Sequence, residues 1–278
     1  MIEIKNLTKR YADGTVALDK LNLKLNKRIT AILGRNGAGK TTTIRILSTQ
    51  LLPTSGSASI NELDVVKDAP LVRDIISSIP QEIRPWSYAN PYDHVAMYLN
   101  ARGIPPDEIA PLTEKALKDL NLWHVRKKPA ANLSGGMRRK VFVAMALASK
   151  AEVIFLDEPT TGLDPISRME VWSAIKKLKS SAIIITTHYM EEAKELSDEV
   201  VLIDNGKKLA QGTVAELLKR FGKNVRVEGP QGRYKVGATC ISYMKAKEAE
   251  KLLGKGYSIK QVGLEDLFII HGGGAIEY

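Results

Sequence analysis

Apolar and polar positions alternate along the first 33 residues, the pattern of half-buried strands. Ile2 and Ile4 share one face, Leu21, Leu23 and Leu25 share another, and Ile29–Leu33 form a short apolar run ending at Gly34. After Lys40 the spacing turns helical, with Ile44 and Leu47 on one side until Pro53. Residues 75–79 read as a buried strand stopped by Pro80. Between Gln81 and Leu133 the pattern predicts helices over 91–101 and 111–120, their prolines suited to first turns, and no strand. This stretch is expected to be a helical insertion. Beyond it the spacing predicts a helix over 135–149, a buried strand over 153–156, a helix over 165–178 and a buried strand over 182–185. Thr213 with Glu216 predicts a capping box, and Gly222 a helix C-cap. Helices between short Val- and Ile-rich runs imply an α/β fold with a largely parallel sheet covered on both faces.

A length of 278 residues suits one large domain and a remainder. Residues 221–224 are the expected linker, dividing the chain into domains 1–220 and 221–278. With 44% hydrophobic and 26% charged residues, collagen-like, disordered and disulfide-stapled classes are excluded. The longest apolar stretch, residues 141–148, is far short of the ~20 residues a membrane span needs. The N-terminus lacks the basic start and apolar block of a signal peptide. Any membrane role is therefore expected to come through a partner. The single cysteine, Cys240, allows no intrachain disulfide and fits a reducing compartment. A net charge of +10 favours acidic partners without choosing among nucleotide, nucleic acid and anionic surface.

Chemistry is concentrated in three places. Gly34-Arg35-Asn36-Gly37-Ala38-Gly39-Lys40-Thr41 fits G-x-x-x-x-G-K-[ST] between a predicted strand and a predicted helix. Its glycines let backbone N–H groups turn inward around phosphate oxygens, and the helix N-terminus adds positive partial charge. Lys40 would reach the outer phosphates and the Thr41 hydroxyl would ligate Mg²⁺. Asp157 and Glu158 end a buried strand, on the sheet edge where open parallel sheets bind ligands. Asp157 would hold the metal and Glu158 would polarise an attacking water. Ser134-Gly135-Gly136, before the helix over 135–149, makes a second anion nest.

Leu133-Ser134-Gly135-Gly136-Met137 resembles the signature of the ATP-binding cassette (ABC) family. Tyr11, the phosphate loop, Gln81, the carboxylates, Gly162-Leu163-Asp164 and His188 follow in that family's order over residues 1–220. The resemblance implies a P-loop NTPase (RecA-like) core with an N-terminal antiparallel β subdomain, an inserted helical subdomain (about 82–133) and a small C-terminal domain. It implies ATP and Mg²⁺ as ligands, with Thr42 also at the nucleotide. Tyr11 looks like the platform stacking on adenine. Gln81 looks like the residue touching metal or water, and His188 like the one contacting the γ-phosphate. Ser134, Gly135 and Gly136 look like the nest for ATP held by an opposing subunit, and Asp164 like the loop residue crossing the dimer interface. A second cassette subunit, the same or closely related, and a separate membrane-spanning permease are the implied partners. The implied location is cytoplasmic, peripheral on the membrane's inner face.

Residues 263–269, the Pro80-Gln81-Glu82 run and the signature region resemble cassettes of the daunorubicin-exporter (ABC-2) type, implying export. The alternative is a soluble cassette ATPase acting on nucleic acid or ribosomes. It is disfavoured because the basic charge is spread along the chain, and no nucleic acid partner is expected. A guanine-reading N-K-x-D is missing, since Asn26-Lys27 is followed by Arg28-Ile29. His94, His124 and His271 are expected to be structural or solvated, and Cys240 inert. Arg138-Arg139-Lys140 reads as a helix face, with Arg138 able to orient the nest. Trp86, Tyr88 and Tyr92 would lie on a coupling surface or in the core of the insertion. Ile60-Asn61-Glu62-Leu63-Asp64 lacks the glycine expected in a hairpin turn.

Overall fold

The computed structural model describes residues 1–81, 85–179, 181–271 and, as backbone, 275–276; Glu82 of the exporter-like run lies outside them. Two compact units divide the chain, Met1–Lys208 and Leu209–Tyr278. The boundary read from the sequence at 220/221 falls within the second. There Phe221 is buried, its ring 5.0 Å from that of Tyr243.

In the first unit, β1 (Ile2–Arg10), β2 (Val16–Leu25) and β3 (Ile29–Leu33) lead into α1 (Lys40–Leu47). Next come β4 (Ser55–Ile60), β5 (Leu63–Asp64), α2 (Ala69–Ile75), β6 (Ile76–Ile79), α3 (Pro91–Ala101) and α4 (Pro106–Asp119). The remainder is α5 (Gly135–Ala148), β7 (Val153–Asp157), α6 (Pro165–Lys177), β8 (Ala182–Thr187), α7 (Met190–Leu196), β9 (Glu199–Asp204) and β10 (Lys207–Gly212), within which the second unit begins.

Strands form two sheets here. The alternating N-terminal segments build an antiparallel sheet in the order β2-β1-β4-β5, with Ile4 opposite Leu23 and Leu7 opposite Leu21. The apolar runs build a second sheet, β10-β9-β3-β8-β7-β6, parallel from β9 through β6. β3 and β7 are buried at every position, as expected of strands covered on both faces. Helix α1 contributes Ile44, Ile46 and Leu47 to the core that also holds Ile4, Leu23 and Ile184. The fold is the expected α/β arrangement with an antiparallel subdomain.

Three local readings differ from the structure. Ile75 closes α2, so the strand starts one residue later than the apolar run, which continues unbroken across the junction. α4 begins at Pro106, with Asp107 and Glu108 in its first turn, and carries Pro111 inside. The ring of Pro111 lies on an exposed face, where the helix tolerates one missing N–H bond. The β4–β5 hairpin forms without glycine because Asn61 (φ 47°) and Glu62 (φ 72°) both take left-handed backbone.

What fixes the phosphate loop is an approach of backbone to backbone. A Cβ on Gly39 would come within 2.5 Å of the Ala17 carbonyl, and one on Gly206 within 2.7 Å of the same atom. The Gly206 N–H donates to Ala38 O at 3.1 Å, and Asp19 N–H donates to Gly206 O at 3.1 Å. Strand β2 is thus clasped between the loop and the Asn205-Gly206 turn, both of whose residues have positive φ.

The second unit contains α8 (Val214–Lys219), β11 (Asn224–Gly229), β12 (Tyr234–Val236), β13 (Thr239–Lys245), α9 (Ala246–Ala249), β14 (Ser258–Lys260), α10 (Glu265–His271) and β15 (Ala275–Ile276). The expected capping box of Thr213 and Glu216 starts α8, and Gly222 has φ 58°. The sheet order is β14-β11-β13-β12-β15. Asp266, fully buried on α10, accepts from the Tyr243 hydroxyl (2.7 Å), Gly263 N–H (2.7 Å) and Arg226 Nη1 (3.2 Å). Burial and then the Asp266 carboxylate push the Tyr243 phenol well above its ordinary range. Among the described residues no helix is long and apolar enough to cross a membrane.

Gly206→Ala is expected to lower stability by about 2 kcal/mol, through strain at positive φ and displacement of β2. Urea unfolding measures this, and an unchanged midpoint would refute the clasp.

Candidate functional site

Parallel register brings the chemistry to one edge. Leu33 pairs with Thr187, Asp157 with Thr186 and Ile79 with Leu156, so β3, β8, β7 and β6 end side by side. Their continuations are the phosphate loop, His188, Glu158 and Gln81. An open cleft of about 520 Å³ runs here from Tyr11 past Asn36 and Thr41 to Gln81 and His188.

Lys40 is buried and folded back on its own loop, donating to Gly34 O (2.9 Å) and Arg35 O (3.0 Å). Its ammonium also lies 3.6 Å from Glu158 Oε1, the two side chains being 5% and 6% exposed. Burial pushes the Lys40 ammonium below its ordinary range, opposed by Glu158 and then Asp157. Thr41 Oγ1 donates to Asp157 Oδ1 at 3.2 Å, while the Thr186 hydroxyl makes a short bond to the same oxygen. Tyr11 reaches the loop through its hydroxyl, 3.2 Å from Thr42 Oγ1. Arg35, Asn36 and Gly37 stand exposed, whereas Gly34, Ala38 and Gly39 are buried.

Glu158 is the meeting point. Its Oε2 accepts from Gln81 Nε2 (3.0 Å) and Thr161 Oγ1 (3.1 Å), and its Oε1 faces His188 Nδ1 (3.1 Å). Its backbone has φ 49°, and its N–H donates to both the carbonyl and the hydroxyl of Thr186, each at 3.1 Å. The left-handed turn costs an L-residue about 1–2 kcal/mol.

Ser134, Gly135 and Gly136 do not line this cleft. Ser134 is exposed and caps α5, its hydroxyl accepting from Met137 N–H at 3.1 Å. Gly135 borders a neighbouring cleft with Gln81, Arg138 and Thr161. Asp164 is exposed and caps α6 through Ile166 and Ser167 N–H, both at 3.0 Å. Bonds from Ser167, then from Ile166, hold its carboxyl below the usual carboxylate range.

The helix-face reading needs correction at Arg139 and Lys140. Arg139 turns inward onto backbone carbonyls around Gln81 and Glu158, and burial pushes its guanidinium down against the pull of Asp157, Glu158 and Glu192. Lys140 is buried and paired with Glu170 at 2.7 Å. Their proximity to Gly136 in sequence was the available signal, but carbonyl partners leave no trace in side-chain identity. Trp86 and Tyr88 are 65% and 97% exposed, while Tyr92 is partly covered, its ring 6.5 Å from that of Trp123. His94 is buried and accepts at Nε2 from Trp86 N–H.

A family model described as ABC transporter matches residues 18–161. The chain is 39% identical over 222 residues to the retinal-specific phospholipid-transporting ATPase ABCA4 of Mus musculus, covering 79% of this chain but 10% of that protein. It thus spans about a tenth of the length of that relative. It is 37% identical over 225 residues to the doxorubicin resistance ATP-binding protein DrrA of Mycobacterium tuberculosis, covering 80% of this chain and 68% of that one. Among solved structures, cbiO1 from Clostridium perfringens, part of the transporter complex cbiONQ, superposes with a TM-score of 0.68 at 31% identity. That match covers 78% of this chain and 90% of the other.

Thr186 serves both carboxylate residues, so Thr186→Val should cost about 1–3 kcal/mol of stability by depriving the buried Asp157 carboxylate of a donor. Chemical denaturation reads the loss, and a neutral substitution would contradict the arrangement.

Proposed function

The chain belongs to the ABC transporter family, and on that premise we propose that it is the ATP-binding, ATP-hydrolysing subunit of an exporter, driving a separate membrane-spanning subunit. The observation that carries the reading is a division of labour. Phosphate-binding and water-activating groups converge on Glu158, while the Ser134 nest stands on a different cleft. A helix N-terminus with Ser134 and Gly135 exposed, outside the cleft lined by the chain's own phosphate loop, suits the nucleotide of a second copy or a close homologue. Likeness to a doxorubicin resistance protein favours outward movement, and likeness to a member of a multi-subunit complex favours a separate permease. The working location is then the cytoplasmic face of the membrane.

ATP enters along Tyr11, whose ring supports adenine, and its phosphates lie over residues 34–42. Lys40 exchanges the Gly34 and Arg35 carbonyls for β- and γ-phosphate oxygens. Thr41 and Asp157 face each other with an all-oxygen donor set, which Gln81 extends; that suits Mg²⁺, which would neutralise phosphate charge. Glu158 accepts a proton from the water as its oxygen bonds to the γ-phosphorus and the bond to the β–γ bridging oxygen breaks. His188 bridges Glu158 and the γ-phosphate. In the partner, Ser134 and the N–H groups of Gly135 and Gly136 grip the same γ-phosphate, and Asp164 lies along the interface. Closure around ATP follows because the nucleotide has more contacts in the paired state than in the open one. Hydrolysis removes the bridging phosphate and releases the pair, moving the membrane subunit with it.

Glu158→Gln should keep ATP binding, accumulate an ATP-bound dimer and lower turnover by about 10²–10⁴-fold. Single-turnover rates and sizing with ATP measure both, and normal turnover would remove Glu158 from this role. Ser134→Arg should bind ATP as a monomer yet fail to turn over, and full activity would argue against a composite site.

A further inference from the structure

We propose that Arg139 is a positioning residue for hydrolysis: its guanidinium sets the backbone at Gln81 and at Glu158 together, and so fixes both ends of the contact between them. The inference rests on the hydrolytic role assigned to Glu158.

Three nitrogens reach five carbonyls from two separate loops. Nη1 donates to Pro80 O (3.1 Å) and Gln81 O (2.8 Å), and Nη2 to Asp157 O (2.6 Å) and Glu158 O (2.9 Å). Nε donates to Pro159 O (3.3 Å). The contacts lie 58 to 59 positions away on one side and 18 to 20 on the other. A guanidinium supplies planar, diverging N–H groups for such a set, whereas a lysine ammonium has three donors on one atom and cannot span both loops.

The geometry at Glu158 gives the clamp its purpose. Thr186 holds the N–H of this residue and Arg139 its carbonyl, so the peptide planes on both sides of a left-handed Cα are pinned. Gln81 is held by its carbonyl while its amide reaches Glu158 Oε2 at 3.0 Å. Removing the guanidinium frees Glu158 to relax toward ordinary backbone angles and lets Gln81 drift from it. The one link from these two residues to the phosphate loop is the 3.6 Å approach of Glu158 to Lys40, which keeps its Gly34 and Arg35 carbonyl partners without it, so chemistry should suffer far more than ATP binding.

The test uses the full chain with Arg139→Lys, Arg139→Ala and Glu158→Gln, and the Arg139→Lys/Glu158→Gln double variant. Arg139→Lys is expected to bind ATP within about threefold of the parent, keep KM, and lose about 10- to 100-fold in kcat. Low-millimolar guanidinium chloride should restore part of the kcat of Arg139→Ala where sodium chloride does not, a readout that a general loss of stability would not give. In the Glu158→Gln background, Arg139→Lys should lower the residual rate little further, because its effect acts through Glu158. Parental kcat in Arg139→Lys while Glu158→Gln is inactive would overturn the positioning role alone. The same holds for a full further loss in the double variant. Normal turnover in Glu158→Gln would overturn the Glu158 assignment and the Arg139 inference with it.

Discussion

A carboxylate in left-handed backbone, buried beside an ammonium, does not hold itself in place. Glu158 sits at φ 49° with its side chain almost wholly covered, and needs Thr186 on its N–H, Arg139 on its carbonyl, and Gln81, Thr161, His188 and Lys40 around its oxygens. These groups come from the ends of β6 and β8, the turn after β7, the first residue of α1 and α5. The order of those strands in the sheet is therefore a requirement of the site: a shift of one residue between β7 and β8 would part Thr186 from Asp157 and Glu158.

The antiparallel subdomain matters for the same reason. Its strand β2 lies against Gly39 and Gly206 so closely that neither position has room for a Cβ, which locks the phosphate loop to a second sheet. Tyr11 is carried to the mouth of the cleft at the end of β1 and bonds Thr42.

Much of this was legible in the residues. The phosphate loop declares itself through glycine spacing, and the apolar runs that precede Gly34 and Glu158 mark strands covered on both faces. The capping box at Thr213 was equally plain, because both halves of that interaction lie within four residues. Boundaries were harder. Ile75 and Ile76 belong to a helix and a strand without an intervening turn residue, so hydrophobicity alone could not separate them. Arg139 stayed hidden for a different reason: its partners are main-chain oxygens, present at every position of any sequence. Asp266 gathers Arg226 and Tyr243 from 40 and 23 positions away, an association that only tertiary structure reveals.

The folded-back lysine has a further consequence. With two carbonyls and a carboxylate around it, the Lys40 ammonium ties the first residue of α1 to the entrance of its own loop and to the residue that follows β7. Three segments distant in sequence therefore share one charge, and a neutral residue at position 40 would strip the buried Glu158 carboxylate of a cation 3.6 Å away.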